Sequence, residues 1–255
     1  MRFAAAHLRQ RLSDLSGKAL SALVTGAKRR PAGDEAVARR SFGLNDLDLK
    51  LYDAIGEKRG GTFIEVGANN GIAQSNTVYF ERYLGWRGLL IEAVPALALQ
   101  CRKNRPQARV VNAALVPFGF RGKTVGMRYC NLMSTVKGAM KTDEEELAHI
   151  RAGCEVQKIE SYDVTVPALT LQSILDKYRI CEVDLFSLDV EGFEANVLGG
   201  LDLDRFVARN LLIEARYRDD IERVLAGRYV AVAELSHHDV LYRPVPELNR
   251  AHLSQ

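Results

Sequence analysis

Apolar and polar positions change rhythm along this chain. Leu8, Leu12, Leu15 and Ala19, followed by Leu23, share one stripe at helical spacing, with basic residues over much of the opposite surface. Arg29-Arg30-Pro31-Ala32-Gly33 breaks that run and reads as a linker. From residue 45 short β-branched runs alternate with helical ones. Residues 62–66 read as a buried strand ending in a glycine turn, 75–84 as a helix, 88–91 as a second strand, and 95–103 as a helix with proline in its first turn. Further strands are expected at 109–112, 183–188, 210–213, 229–233 and 240–243, and helices at 169–178, 193–198 and 219–225. Strands alternating with helices predict parallel βαβ units in a doubly wound α/β sheet. Residues 117–167 break the rhythm, with a glycine-rich hairpin candidate (119–129), a polar stretch (131–135) and an acidic run (143–146). An insertion of that length is expected to be a lid or a substrate loop.

Composition narrows the class without naming a chemistry. At 255 residues, 47% hydrophobic and 26% charged, the chain has the makings of one large globular α/β domain or of two small ones. The net charge of +3 is too nearly balanced for a nucleic-acid coat, and it averages two unlike parts. Residues 1–40 carry nine basic and three acidic side chains, whereas the remainder carries 26 basic and 29 acidic. The basic surplus therefore belongs to an N-terminal helical extension (residues 1–45), ahead of a domain spanning 46–255. A packed helix is the plain expectation for that extension, and a weak contact with an anionic membrane surface, or with a polyanionic substrate, is the alternative.

His7, Arg9 and Arg11 interrupt the apolar start, so it does not read as a secretory peptide, and no apolar run is long enough to span a bilayer. Cys101, Cys130, Cys154 and Cys181 are scattered, with no CxxC pair, and are expected as free thiols in a reducing cytoplasm.

The chemistry concentrates at strand ends. The first strand runs into Glu65-Val-Gly67-Ala-Asn-Asn-Gly71, and ligands of open α/β sheets bind at the carboxyl ends of strands. Its Gly-x-x-x-Gly spacing lacks the middle glycine of a pyrophosphate cradle, and Glu65 would repel a dinucleotide. Glu92 closes the second strand, at the offset where an acid accepts bonds from ribose hydroxyls. Two acids and two glycines on adjacent strand ends suit a nucleoside with a cationic tail, which describes S-adenosylmethionine. An NAD(P)-dependent oxidoreductase and a non-catalytic cofactor-pocket module are the alternatives.

The runs Phe63-Ile-Glu-Val-Gly-Ala-Asn-Asn-Gly71, Ser75-Asn-Thr77, Gly85-Trp-Arg-Gly-Leu-Leu-Ile-Glu92 and Asp184-Leu-Phe-Ser-Leu-Asp-Val-Glu-Gly-Phe-Glu194, with Val197-Leu-x-Gly199 behind the last, resemble the FkbM family of S-adenosylmethionine-dependent methyltransferases. Ala93 stands where that pattern has proline, and Pro95 follows. The resemblance covers about residues 45–245. It implies a class I methyltransferase fold, Rossmann-like, with a seven-stranded sheet whose last strand is antiparallel. It also implies O-methylation of a sugar, glycoconjugate or polyketide-like hydroxyl on a small-molecule acceptor. A nucleic-acid partner is not expected, since Asp189-Val-Glu-Gly192 stands where nucleic-acid amino-methylation would want Asn/Asp-Pro-Pro-aromatic; a homo-oligomer is a further possibility for the chain.

Carried onto this chain, the resemblance implies that Glu65, Gly67, Asn69 and Gly71 shape the methionine end of the cofactor site. Asn76 would supply hydrogen bonds, Glu92 and Ala93 the ribose contact, Asn112 and Ala113 the neighbourhood of adenine, and Asp189 the edge from which the cofactor's amino group or the acceptor is reached. Removal of the hydroxyl proton needs a base, for which Asp189, Glu191, His237 and His238 are the candidates, His238 ranking with the two acids. Alternation along a strand would point Asp189 and Glu191 to opposite sides. No metal site is expected, because Asp189 and Glu214 lack an evident third ligand.

Overall fold

In the computed structural model, which describes residues 40–246, the chain forms an α/β domain. A 3-10 turn (Leu44–Asp46) leads into α1 (Leu47–Ile55), β1 (Thr62–Val66), α2 (Val78–Leu84), β2 (Arg87–Glu92), α3 (Pro95–Asn104) and β3 (Arg109–Asn112). Then come β4 (Ala114–Leu115), β5 (Thr124–Tyr129), β6 (Thr135–Val136), α4 (Asp143–Gln157) and β7 (Tyr162–Leu169). The last third contains α5 (Leu171–Tyr178), β8 (Glu182–Val183), β9 (Leu185–Leu188), α6 (Glu194–Leu198), β10 (Val207–Ala208), β11 (Leu211–Glu214), α7 (Arg218–Leu225), β12 (Tyr229–Glu234) and β13 (Asp239–Pro244).

The main sheet has seven strands in the order β12-β13-β11-β9-β1-β2-β3. Strands β11, β9, β1, β2 and β3 pair in parallel, and β13 runs antiparallel between β11 and β12. This is the class I methyltransferase arrangement, with the final strand reversed as expected. Helices cover both faces. Ile64, Val66, Leu89, Ile91, Phe186 and Ile213 pack under α5, α6 and α7, whereas Phe63, Leu90, Leu185 and Leu212 pack under α1, α2 and α3. Alternation along β1 thus assigns Phe63 and Glu65 to the second face. The 183–188 strand divides at Asp184, whose carboxylate accepts from Thr62 N at 2.9 Å and pairs with Lys58. As a result β8 joins β10 in a separate two-stranded sheet.

The 117–167 interval is folded rather than loose. Strands β4-β7-β5-β6 form a second sheet, with β7 parallel to β4 and antiparallel to β5. The hairpin expected at 119–129 is absent: residues 117–120 form a turn, and β5 finds its partners in β6 and β7. The acidic run becomes the first turn of α4, where carboxylates favour the exposed N–H groups, and Thr142 Oγ1 caps Glu145 N at 3.1 Å. Among residues grouped with the N-terminal extension, Ser41 and Phe42 hydrogen-bond to the Asp48 carboxylate at 2.6 and 2.7 Å, and Gly43 bridges to Gln74. The basic stripe at Leu8–Leu23 lies outside the described residues. No described helix is long and apolar enough to cross a membrane.

Candidate active site

A cleft opens at the carboxyl ends of β1, β2, β3 and β9, roofed by the second sheet. Of the expected cofactor residues it brings together Gly67, Asn69, Glu92, Ala93, Ala113 and Asp189, and Glu191 stands beside them. The turn after β1 is shaped by backbone approach. Gly67 has φ of +83°, and a Cβ there would lie 1.8 Å from the Asp189 carbonyl oxygen, so glycine alone lets β1 and β9 end side by side.

Glu92 is the best-positioned acid. Its carboxylate accepts from Asn69 N at 2.8 Å and Val94 N at 2.7 Å, and Asn112 Nδ2 donates to the Glu92 and Ala93 carbonyls at 2.9 and 2.7 Å. Asn112 therefore braces this wall from behind. Burial outweighs those hydrogen bonds and pushes Glu92 up to about 7 from the ordinary 4.5.

The stability consequence has a definite sign. Below about 4.5 the acid is protonated in both folded and unfolded chains; between 4.5 and 7 only the unfolded chain releases the proton. Stability of the ligand-free protein is therefore expected to fall across that window, by about 3 kcal/mol from this group, and to level off above it. Glu92→Gln should flatten the window when urea midpoints are compared between pH 5 and 8. A wild-type profile that rises there, or an unchanged slope in the variant, would contradict the assignment.

Besides Asn112, three more expected cofactor residues sit behind the cleft. Glu65, 4% exposed, turns toward α2 and α3, where its carboxylate accepts from Ser75 Oγ (2.8 Å), Asn76 N (2.9 Å) and Thr77 Oγ1 (2.6 Å), with Arg105 Nη1 at 3.7 Å. Burial raises its pKa while Arg105 opposes the rise. Asn76 donates from Nδ2 to Ser187 Oγ at 3.1 Å, away from the cleft lining. Gly71 lies against α3, where a Cβ would meet Arg105 Cγ at 3.1 Å. These residues hold the shape of the 67–77 turn, which walls the cleft.

The segment after β9 departs from simple alternation. Asp189 and Glu191 both line the cleft, because the strand stops at Leu188 and the chain turns through Glu191 (φ +57°) and Gly192 (φ +100°). Glu191 Oε2 stands 3.3 Å from Arg216 Nη2 and 3.6 Å from His149 Nε2. Arg216 Nη2 donates to His149 Nδ1 at 3.3 Å, which leaves His149 Nε2–H to donate to the Met133 carbonyl at 3.1 Å. Helix α4, which carries His149, is thereby tied to the loop that presents Glu191. Tyr217 Oη strengthens the tie by donating to Glu145 at 2.8 Å.

A third carboxylate joins the pair named from the sequence. Ligand atoms of Asp189, Glu194 and Glu214 lie within 4.8 Å of one another. Spacing could not reveal Glu194, because a helical turn folds it back. Its carboxylate accepts from Val190 N and Gly192 N at 3.1 and 3.0 Å, and burial, with the charge of Asp189 adding, raises its pKa. His237 and His238 stack edge-on at 4.5 Å in the turn between β12 and β13, outside the cleft lining. The His238 carbonyl accepts from Ala215 N at 2.7 Å.

Sequence reading missed the roof: Asn131, Leu132, Ser134, Met127 and Val136 from the insertion, with Gln74 and Phe193 from below. The polar stretch at 131–135 was the signal available. Asn131 Oδ1 accepts from Asn69 Nδ2 at 3.1 Å, joining roof to floor.

The FkbM methyltransferase domain model matches residues 65–241, well over half of the chain. The chain belongs to the FkbM methyltransferase family. The cofactor of this methyltransferase is S-adenosylmethionine, and the oxidoreductase alternative is set aside.

Solved structures similar to the methyltransferase are distant. A TehB-like SAM-dependent methyltransferase from Corynebacterium glutamicum has 12% identity and a TM-score of 0.40, over 78% of this chain and 88% of that one. A SAM-dependent methyltransferase from Aquifex aeolicus has 13% identity and a TM-score of 0.39, over 78% and 89%. Precorrin-6y C5,15-methyltransferase from Geobacter metallireducens has 10% identity and a TM-score of 0.39, over 83% and 90%. Among curated proteins none matches the sequence.

The cleft suits the cofactor on its own chemistry. Gly67 leaves room for close approach, and a buried acid at the end of β2 has lone pairs left for hydroxyl donors. Ala113, at the end of β3, leaves a flat wall.

Proposed function

We propose that this methyltransferase carries a methyl group to a hydroxyl oxygen of an uncharged acceptor, a sugar, glycoconjugate or polyketide-like molecule. The observation that supports this most is the charge of the cleft lining: Glu92, Asp189 and Glu191 are its ionisable groups, with no lysine, arginine or histidine among the residues that line it. Carboxylates favour a sulfonium and repel phosphorylated or carboxylate acceptors and nucleic-acid phosphates. The roof offers Met127, Leu132 and Val136 beside Asn131 and Ser134, an apolar surface with amide and hydroxyl groups for a partly apolar polyol.

S-adenosylmethionine supplies an electrophilic methyl on a cationic sulfur. The chain's part is to hold two reactants in line, which accounts for much of the rate, and to accept a proton. Glu92 accepts from the ribose hydroxyls, and Asp189 takes the acceptor's hydroxyl proton. Support for Asp189 comes from its place in the lining and from the Glu194 and Glu214 carboxylates close by, since like charges raise basicity. Glu191, braced by Arg216 and His149, orients the acceptor.

The test is a mass-spectrometric search for products gaining CH₂ after incubating the enzyme and S-adenosylmethionine with native extracts and a panel of neutral and anionic acceptors. Methylated neutral hydroxyl compounds are expected. Methylation confined to phosphorylated acceptors, or to nitrogen, would reject the reading. On the acceptor found, Asp189→Asn is expected to lower turnover by at least about 100-fold while S-adenosylhomocysteine affinity changes little. A comparable loss of that affinity would instead make Asp189 a cofactor ligand.

A further inference from the structure

Two cysteines where α4 meets the roof have no part in the methyl transfer. Cys130 follows β5 and is buried; Cys154 lies in the last turns of α4 and is half-buried. Their sulfur atoms are 3.5 Å apart, against about 2.05 Å in a disulfide, so a modest side-chain rotation would bring them to bonding distance. The local packing is built for this approach. A Cβ on Gly153 would meet Cys130 Sγ at 2.7 Å and Met133 Sδ at 2.9 Å, so glycine lets α4 come this close to the strand end. Gln157 straps the same junction, donating to the Cys130 carbonyl at 2.9 Å and accepting from Leu132 N at 3.3 Å. The two residues that follow Cys130 are Asn131 and Leu132, both in the cleft lining, and Asn131 holds Asn69 across it.

We propose that Cys130 and Cys154 form an oxidisable pair, a modification site for peroxides, whose disulfide locks α4 to the cleft roof. The more accessible Cys154 reacts first. Its thiolate sulfur attacks one peroxide oxygen, an S–O bond forms as the O–O bond breaks, and the departing hydroxide leaves as water, giving a sulfenic acid. Cys130 sulfur then attacks Cys154 sulfur; the S–S bond forms, the S–O bond breaks, and hydroxide departs with the Cys130 proton as water. Two thiols lose two electrons and two protons, and one hydrogen peroxide becomes two waters. Burial, then the Cys154 thiol, pushes Cys130 up to about 12, so the second step is slow at neutral pH and faster in alkali. Formation of the bond is independent of what the cleft binds; its effect on ligand exchange rests on the cofactor reading.

The experiment uses the full chain treated with hydrogen peroxide at pH 8, alkylated, and digested without reduction. A Cys130–Cys154 cross-linked peptide, about 2 Da lighter than its two parts, is expected. The unfolding midpoint should rise by roughly 5 °C, reversibly with dithiothreitol. Cys154→Ser should keep the untreated midpoint and lose both effects. With S-adenosylhomocysteine as probe, oxidation is expected to slow its dissociation roughly tenfold, since the roof must move for exchange. Sulfenic or sulfinic acid at Cys154 without the cross-link, or cross-links only to Cys101 or Cys181, would overturn the pair. The cross-link with an unchanged dissociation rate would overturn the lock. Failure of S-adenosylhomocysteine to bind at all would count against the cofactor reading and leave the cross-link standing.

Discussion

Gly67→Ala is expected to be among the most damaging single substitutions in this protein, costing more than about 3 kcal/mol and abolishing S-adenosylhomocysteine binding. Two costs combine. The left-handed φ of +83° strains any side chain, and the new Cβ would lie 1.8 Å from the Asp189 carbonyl oxygen, a backbone atom that cannot swing aside. Relief would require β1 and β9 to part at the rim of the cleft, where Val66 pairs with Leu188. Gly85→Ala supplies the control. Gly85 has φ of +70° at the end of α2 with nothing within 4 Å of the added atom, so it isolates the dihedral strain, about 1 kcal/mol. Urea unfolding of the two variants measures the difference. Equal destabilisation would mean that the contact with Asp189 is not what demands glycine.

Arg105→Ala should cost about 3–5 kcal/mol, the range for removing one partner of a buried ion pair. Arg105 is 0% exposed, and its guanidinium donates to the Gly71 carbonyl at 3.0 Å and Thr77 Oγ1 at 3.0 Å, with Glu81 at 2.9 Å and Glu65 at 3.7 Å. Without it Glu65 keeps its burial and loses the charge that restrains its pKa, so the acid becomes still harder to ionise when folded. The raised folded pKa sets the sign: the loss should be larger at pH 8 than at pH 5, where the folded protein can hold the proton. Glu65→Gln placed in the Arg105→Ala background should recover part of the stability at pH 8. Denaturation curves that show the same deficit at both pH values would remove Glu65 from the explanation.

Much of the fold was legible because it is local. The apolar runs at 62–66 and 88–91, the proline opening α3 and the glycine after β1 each express preferences of a few neighbouring residues. Glu92 was legible for the same reason, since an acid ending a buried strand has one place to go. The insertion was less so. Its strand β5 needs β6 and β7 as partners, the latter more than thirty residues away, and nothing near 119–129 announces that pairing.

Glu65 and Glu191 show where sequence reasoning stopped. Sequence alone determined that acids and glycines cluster at the carboxyl ends of successive strands, and with that the cofactor class, because strand ends are set by short-range apolar periodicity. Tertiary structure decided what each acid does. Pleating put Glu65 on the α2–α3 face beside Arg105, a partner forty residues distant, and took it out of the cleft. A left-handed turn at Glu191 brought that acid onto the same side as Asp189, and α6 folded Glu194 back beside Glu214. These outcomes depend on which distant groups share a buried volume, and burial is what makes a missing partner costly. A chain read one residue at a time contains the side chains but not the dielectric or the neighbours that assign their roles.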